Sequence, residues 1–225
     1  MITQKTGEKQ NVNIRNRMFS ALTAGVVLFL SALAAEGLAE NNEYTVFLSD
    51  TGIVTDCASA SVHDACITLT AAGTYRVSGS LSDGQILIDA SDDDKVKLIL
   101  DNAEITCRSA PAIYVVNAKK LVLSSEKDSV NTICSHLVSV SDETADAAVF
   151  SHDDLTLSGV GCINIAADSC DGIVSKDKLK VKSGIISITA GGKGVVGKDA
   201  VTMEGGTLCV ASEDNAIHSN DEILM

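Results

Sequence analysis

Four aspartates fall at the same place in successive copies of one motif: Asp153, Asp177, Asp199 and Asp221. Carboxylates stacked that closely repel unless a cation or a hydrogen-bond donor stands between them. Calcium takes about six to eight oxygen ligands in flexible geometry and suits such a column. The plainer alternative is that Lys176 and Lys198, one residue earlier, neutralise the column while turn amides satisfy the remaining oxygens. A better calcium set joins Asp142, Glu143 and Asp146 to Asp153, Asp154 and Asp171 near the adjoining turns, with Asp177 next in the column. Asp92, Asp93 and Asp94 form a second acidic bend.

An aromatic column is the other candidate. Tyr114 and Phe150 share the position that Val174, Val196 and His218 take in later copies. Alternation directs this column outward, so Tyr114, Phe150 and His218 become candidate carbohydrate-binding residues. The apolar C–H face of a sugar stacks on an exposed ring. The competing reading is aromatic stacking that only stabilises neighbouring strands.

The elements that position these residues are written as a repeat. Its copies start at Ala148, Gly172, Gly194 and Ala216, steps of 24, 22 and 22 residues. A fixed period of this size marks a solenoid, in which each turn buries its apolar side against its neighbours. Leu155/Leu157, Leu179/Val181 and Val201/Met203 form one inward column. Ile163/Ile165, Ile186/Ile188 and Leu208/Val210 form a second, and Val149, Ile173, Val195 and Ile217 a third. Three columns separated by Gly- and Asp-rich bends predict an all-β fold, a three-sided parallel β-helix of about 22 residues per turn. The usual crossover handedness makes it right-handed. Residues 40–72 read as an N-terminal cap with the first strands, and 73–225 as the coil itself. The segment Ser135–Ala147 breaks the register and reads as an insertion at one bend. The last copy stops partway through a turn, which reads as a truncated coil.

Residues 1–39 are of another kind. Lys5, Lys9, Arg15 and Arg17 precede an uncharged apolar run, Met18–Ala35, and Gly37-Leu38-Ala39 supplies a small-residue exit. This is a secretory signal peptide, with an uncleaved membrane anchor as the alternative. Either one places the body outside the cytoplasm, secreted or at the cell surface. The 225-residue chain carries a formal charge of −13. Four of its 17 basic and two of its 30 acidic residues lie in 1–39, so the remainder carries −15. Such a surface repels nucleic acid and other polyanions unless cations intervene.

Seven cysteines without a C-x-x-C pair give no zinc or thioredoxin-like signature. Cys107 and Cys134 follow similar strand endings in successive turns, and neighbouring strands lie close enough for a disulfide. Cysteines serving as small apolar strand residues are the alternative. Gly192–Lys198 matches G-x-G-x-x-G, but Asp199 stands where a P-loop needs Ser or Thr, and the repeat already explains the glycines. Histidines 63, 136, 152 and 218 fit no metalloprotease motif, and no serine-hydrolase elbow is present.

The body from Tyr44 to Met225 resembles a family of secreted bacterial carbohydrate-binding domains with a pectate-lyase-like right-handed parallel β-helix. The resemblance rests on Gly73–Thr106, Pro111–Leu123, Ala147–Gly161 and Asp171–Ala190, in that order. It implies non-catalytic binding of plant-type polysaccharide, including acidic, galacturonan-like chains, assisted by calcium. The sequence departs from the family pattern at Gly192-Lys193, where paired acids usually precede the glycine. A calcium-dependent polysaccharide lyase is one alternative, with Lys176, Lys198, Arg76 or Arg108 as the nominal base. A surface adhesin using the coil as a stalk is another. No catalytic residue is assigned, and the pattern fixes no oligomeric state.

Overall fold

Short runs with every second residue apolar can bury one side only by stacking on like runs, and the chain does so turn after turn. A computed structural model describes residues 43–138 and 145–225. Residues 41–225 form one compact unit, and no helix occurs among the described residues.

The start of the unit is partly antiparallel. β1 (Glu43–Leu48) pairs antiparallel with β2 (Val54–Thr55), and β3 (Ala60–His63) with β4 (Cys66–Leu69). All other pairings are parallel. β4 begins a first face that continues through β6 (Gln85–Asp89), β8 (Ile113–Asn117), β11 (Ala147–Ser151), β14 (Asp171–Ser175), β17 (Val195–Gly197) and β20 (Ile217–His218). A second face comprises β9 (Lys120–Ser125), β12 (Asp154–Gly159), β15 (Lys178–Val181), β18 (Ala200–Met203) and β21 (Glu222–Leu224). A third comprises β10 (Val130–Val138), β13 (Cys162–Ser169), β16 (Ile185–Ala190) and β19 (Thr207–Ser212).

Two long strands join the second and third faces into one 13-stranded sheet. β5 (Gly73–Leu81) pairs along its length with β7 (Lys95–Cys107), and β1 pairs parallel with β5. β7 pairs with β9 through Lys95–Leu100 and with β10 through Glu104–Cys107. The bend between its halves falls at Asn102, with φ 55°, and the matching bend in β5 at Gly79, with φ 88°. A left-handed residue turns the corner without ending the strand, which favours Gly, Asn or Asp there.

The sequence period reappears as pairing register. Val149 sits beside Ile173, Ile173 beside Val195, and Val195 beside Ile217. The predicted inward columns pack into one hydrophobic cluster, each fully buried Leu or Ile contributing about 1.5–3 kcal/mol. In the later turns Met203, Leu208, Val210 and Ile217 are only partly buried.

Register overturns two expectations. Cys134 pairs with Thr106, and Cys107 with Ser135, an offset of one residue. A one-residue offset places side chains on opposite sides of a sheet. Cys107 is accordingly buried in the core while Cys134 is half-exposed, and no disulfide joins them. The insertion also begins later than Ser135, because β10 continues to Val138 and Ser135 pairs with Cys107 and Ala167. Asp142 and Glu143 lie outside the described residues.

Candidate functional site

The first face ends in a hydroxyl ladder. Ser151 and Ser175 are in register and fully buried, with Gly197 next to them in the following turn. Ser175 Oγ donates to the carbonyl oxygens of Asp153 (2.9 Å) and Lys178 (3.3 Å) and accepts from Asp177 N–H (3.3 Å). Ser151 Oγ likewise donates to the Asp153 carbonyl and accepts from its N–H. These bonds fold the chain sharply after each strand and fix where the aspartates begin. Asp153 then caps the previous turn, its Oδ2 accepting from Ala118 N–H at 2.9 Å.

Charge crowds at this corner. The Asp177 carboxyl is held above its ordinary range, by burial first and then by Asp199, Asp154 and Asp153. Asp171 is also raised, chiefly by burial, against the pull of a 2.6 Å hydrogen bond from Lys193 N–H. The two groups stand apart, however. Ala147 pairs with Asp171 at one end of the first face, and Ser151 with Ser175 at the other. At about 3.3 Å per residue the four steps from Asp171 to Ser175 set Asp146 and Asp171 roughly 13 Å from the corner that holds Asp153, Asp154 and Asp177. The expected single cage from Asp146, Asp153, Asp154, Asp171 and Asp177 is therefore not formed by the described residues, among which no cluster of three acidic, His or Cys groups is placed to hold a metal.

The outward column of the first face is continuous. Tyr114, Phe150, Val174, Val196 and His218 are neighbours in successive turns. Alternation gave their side correctly, since they stand apart from the main core, but not their accessibility. Phe150 is 1% exposed and forms, with Ala147 and Val174, a small second apolar cluster against which Tyr114, Ala145 and Val196 pack. Its ring meets Tyr114 edge-on at 5.7 Å and His152 at 5.2 Å, and Lys176 Nζ lies 5.2 Å from its centroid. Phe150 is thus a foundation and offers no open face to a sugar. Tyr114 is half-buried, and its hydroxyl lies 3.3 Å from His152 Nε2.

Beside this cluster lies an open groove of about 360 Å³. Val174 and Val196 line its floor, with His218 in the next turn. Lys176 and Lys198 stand at one end, just past the ends of β14 and β17, with Lys176 Nζ turned toward the Phe150 ring. Asp146, Asp171 and Lys193 stand at the other, where Lys193 Nζ is 4.0 Å from Asp214. The arrangement offers an apolar strip that runs from turn to turn, with two lysines along one margin and a lysine and carboxylates along the other. From sequence, Lys176 and Lys198 stand as neutralisers of the aspartate column or as a nominal lyase base, and Lys193 and His152 have no binding role. The recurrence of Lys176 and Lys198 at the same place in successive copies is the available signal for the first two.

A protein-family model described as "carbohydrate-binding domain-containing protein" matches residues 63–223. A protein of that description from Acetivibrio thermocellus is 31% identical over 153 residues. That match covers 66% of this chain and 54% of the relative, so the chain spans about half the relative's length. Among solved structures, a polysaccharide lyase-like protein from C. thermocellum, studied as a gadolinium derivative, aligns with a TM-score of 0.76 at 24% identity. It covers 81% of this chain and 79% of that one, and the likeness is one of fold.

Proposed function

The chain belongs to the carbohydrate-binding domain-containing protein family, and from that premise we propose an extracellular, non-catalytic polysaccharide-binding protein. Its body is a right-handed, pectate-lyase-like parallel β-helix, and its glycan lies along the groove of the first face. The observation that carries this reading is the combination of an apolar strip at Val174 and Val196 with Lys176, Lys193 and Lys198 along one open groove. Sugar C–H faces settle on the strip while ammonium groups take the oxygens at its margins.

Three lysines in one groove of an acidic chain favour an acidic, galacturonan-like ligand. Calcium assists by bridging polymer carboxylates to the crowded corner near Asp177, whose carboxyl is raised by burial first and then by neighbouring aspartates whose repulsion a cation would relieve. The basic head and apolar run of residues 1–39 support export.

The test is a glycan array run with and without chelator. The expected result is retention of acidic plant-type glycans, weakened at least about tenfold in K176Q/K198Q, a loss of roughly 1.4 kcal/mol. Unchanged retention in that variant would remove the groove from consideration, and chelator-insensitive binding would remove calcium. Unsaturated uronate product, followed by its ultraviolet absorbance, would replace the binding reading with a lyase.

A further inference from the structure

Outside the groove, the second face gathers positive charge. Its outward residues form rows across the turns by register. One row runs Lys95, Lys120, Asp154, Lys178, and the next Lys97, Val122, Thr156, Lys180. Six lysines (95, 97, 120, 178, 180 and 182) share this face with Asp154, Glu204 and, further along the first row past Ala200, Glu222, although the whole chain carries −13. Lys180 Nζ holds Glu204 at 2.7 Å. The other five lysines make no ion pair among the described residues.

The lysines stand in two banks, one on the turns of β7 and β9 and the other on β15. Between them the outward side chains are short: Val122, Ser124, Thr156 and Ser158. This makes a trough along the strand direction with hydroxyls in its floor. Thr156 is 2% exposed, and its Oγ1 has no hydrogen-bond partner. Both banks act on one carboxylate, since Glu204 is held below its ordinary range first by Lys180, with Lys182 and Lys120 contributing.

We propose that this trough binds the phosphate groups of an anionic polyol-phosphate chain. Compact ammonium groups hold phosphate as point charges, and hydroxyl donors between the two banks add hydrogen bonds to its oxygens. The arginine bordering this face, Arg76, is taken up by Glu43 and Glu126 at 2.6 Å and Asp101 at 3.5 Å. No aromatic side chain stands in the outward rows of β9, β12 and β15 on which a nucleobase would stack. The trough shares no residue with the groove of the first face.

The experiment measures binding of the full chain to poly(glycerol phosphate), with polygalacturonate and inorganic phosphate as parallel probes. Poly(glycerol phosphate) is expected to bind with strong salt dependence and to weaken at least about tenfold in K97Q/K180Q. It is expected to weaken severalfold in T156V, which keeps shape and folding but removes the unpartnered hydroxyl. K176Q/K198Q is expected to bind it as the parent does, so the two surfaces fail separately. Parent-like binding by both K97Q/K180Q and T156V would overturn the proposal. So would inorganic phosphate binding as tightly as the polymer, or polygalacturonate binding lost in K97Q/K180Q alone.

Discussion

Two rings in one column have opposite duties. Phe150, 1% exposed, anchors the outer apolar cluster, whereas Tyr114 is half-open at its edge. Replacing Phe150 with alanine is expected to cost about 3–5 kcal/mol in chemical denaturation. Y114A is expected to lower glycan affinity with a much smaller stability loss. Equal stability losses would make the two rings equivalent. Asp177 gives a pH signature. Its carboxyl is raised by burial and by neighbouring aspartates, so the folded chain holds that proton more tightly than the unfolded one. Stability from this residue is therefore lost as pH rises through the interval just above the ordinary aspartate value. D177N is expected to flatten the fall in Tm across that interval and to raise Tm at neutral pH. Parallel Tm curves for both proteins would contradict the assignment. The position of this aspartate column was legible from the repeat alone. Its separation from Asp171 was not, because it depends on which end of a strand each residue occupies.

At the scale of the element, the end of each first-face strand is set by a side chain that closes the turn on itself. Ser175, fully buried, bonds three backbone groups, and S175A is expected to cost about 1–3 kcal/mol by leaving them unsatisfied. The alignment of repeats invites serine at Gly197, the next rung. That change is expected to destabilise, because a Cβ there would run into the Ala200 carbonyl oxygen and the Val201 side chain. A Tm for G197S above the parent's would show that the rung relaxes. The same contrast explains the cysteines. Similar strand endings suggested a Cys107–Cys134 bridge, yet a register offset of one residue turned the two side chains to opposite sides. Alternation within a strand is local and readable, but register between strands is fixed by the corners, where Asn102 and Gly79 adopt positive φ.

Across the whole molecule each turn touches only its neighbours, so stability is distributed along the coil. The core is closed around Leu155, Ile173 and Leu179, while Leu208, Val210 and Ile217 are partly open. Amide exchange is expected to be slowest in β12–β15 and faster in β18–β21. Uniform protection would point to a single cooperative unit instead. Charge is distributed by face as well. Carboxylates gather at the corner after the first face, and lysines bank on the second. The net charge alone argues that polyanions are repelled, whereas the lysines are gathered on two surfaces, one beside the first face and one on the second.

The sequence by itself determined the all-β class, the period, the three inward columns and the outward side of the column that holds Tyr114 and Phe150. These follow from alternation and from repetition, both local properties of the chain. Tertiary structure decided what lies beside what. It covered Phe150, parted the acidic groups, kept Cys107 from Cys134, and assembled a groove and a trough from lysines tens of residues apart. Those outcomes rest on register and on the corners between faces, where a shift of one residue reverses a side chain's direction and no local pattern records the choice.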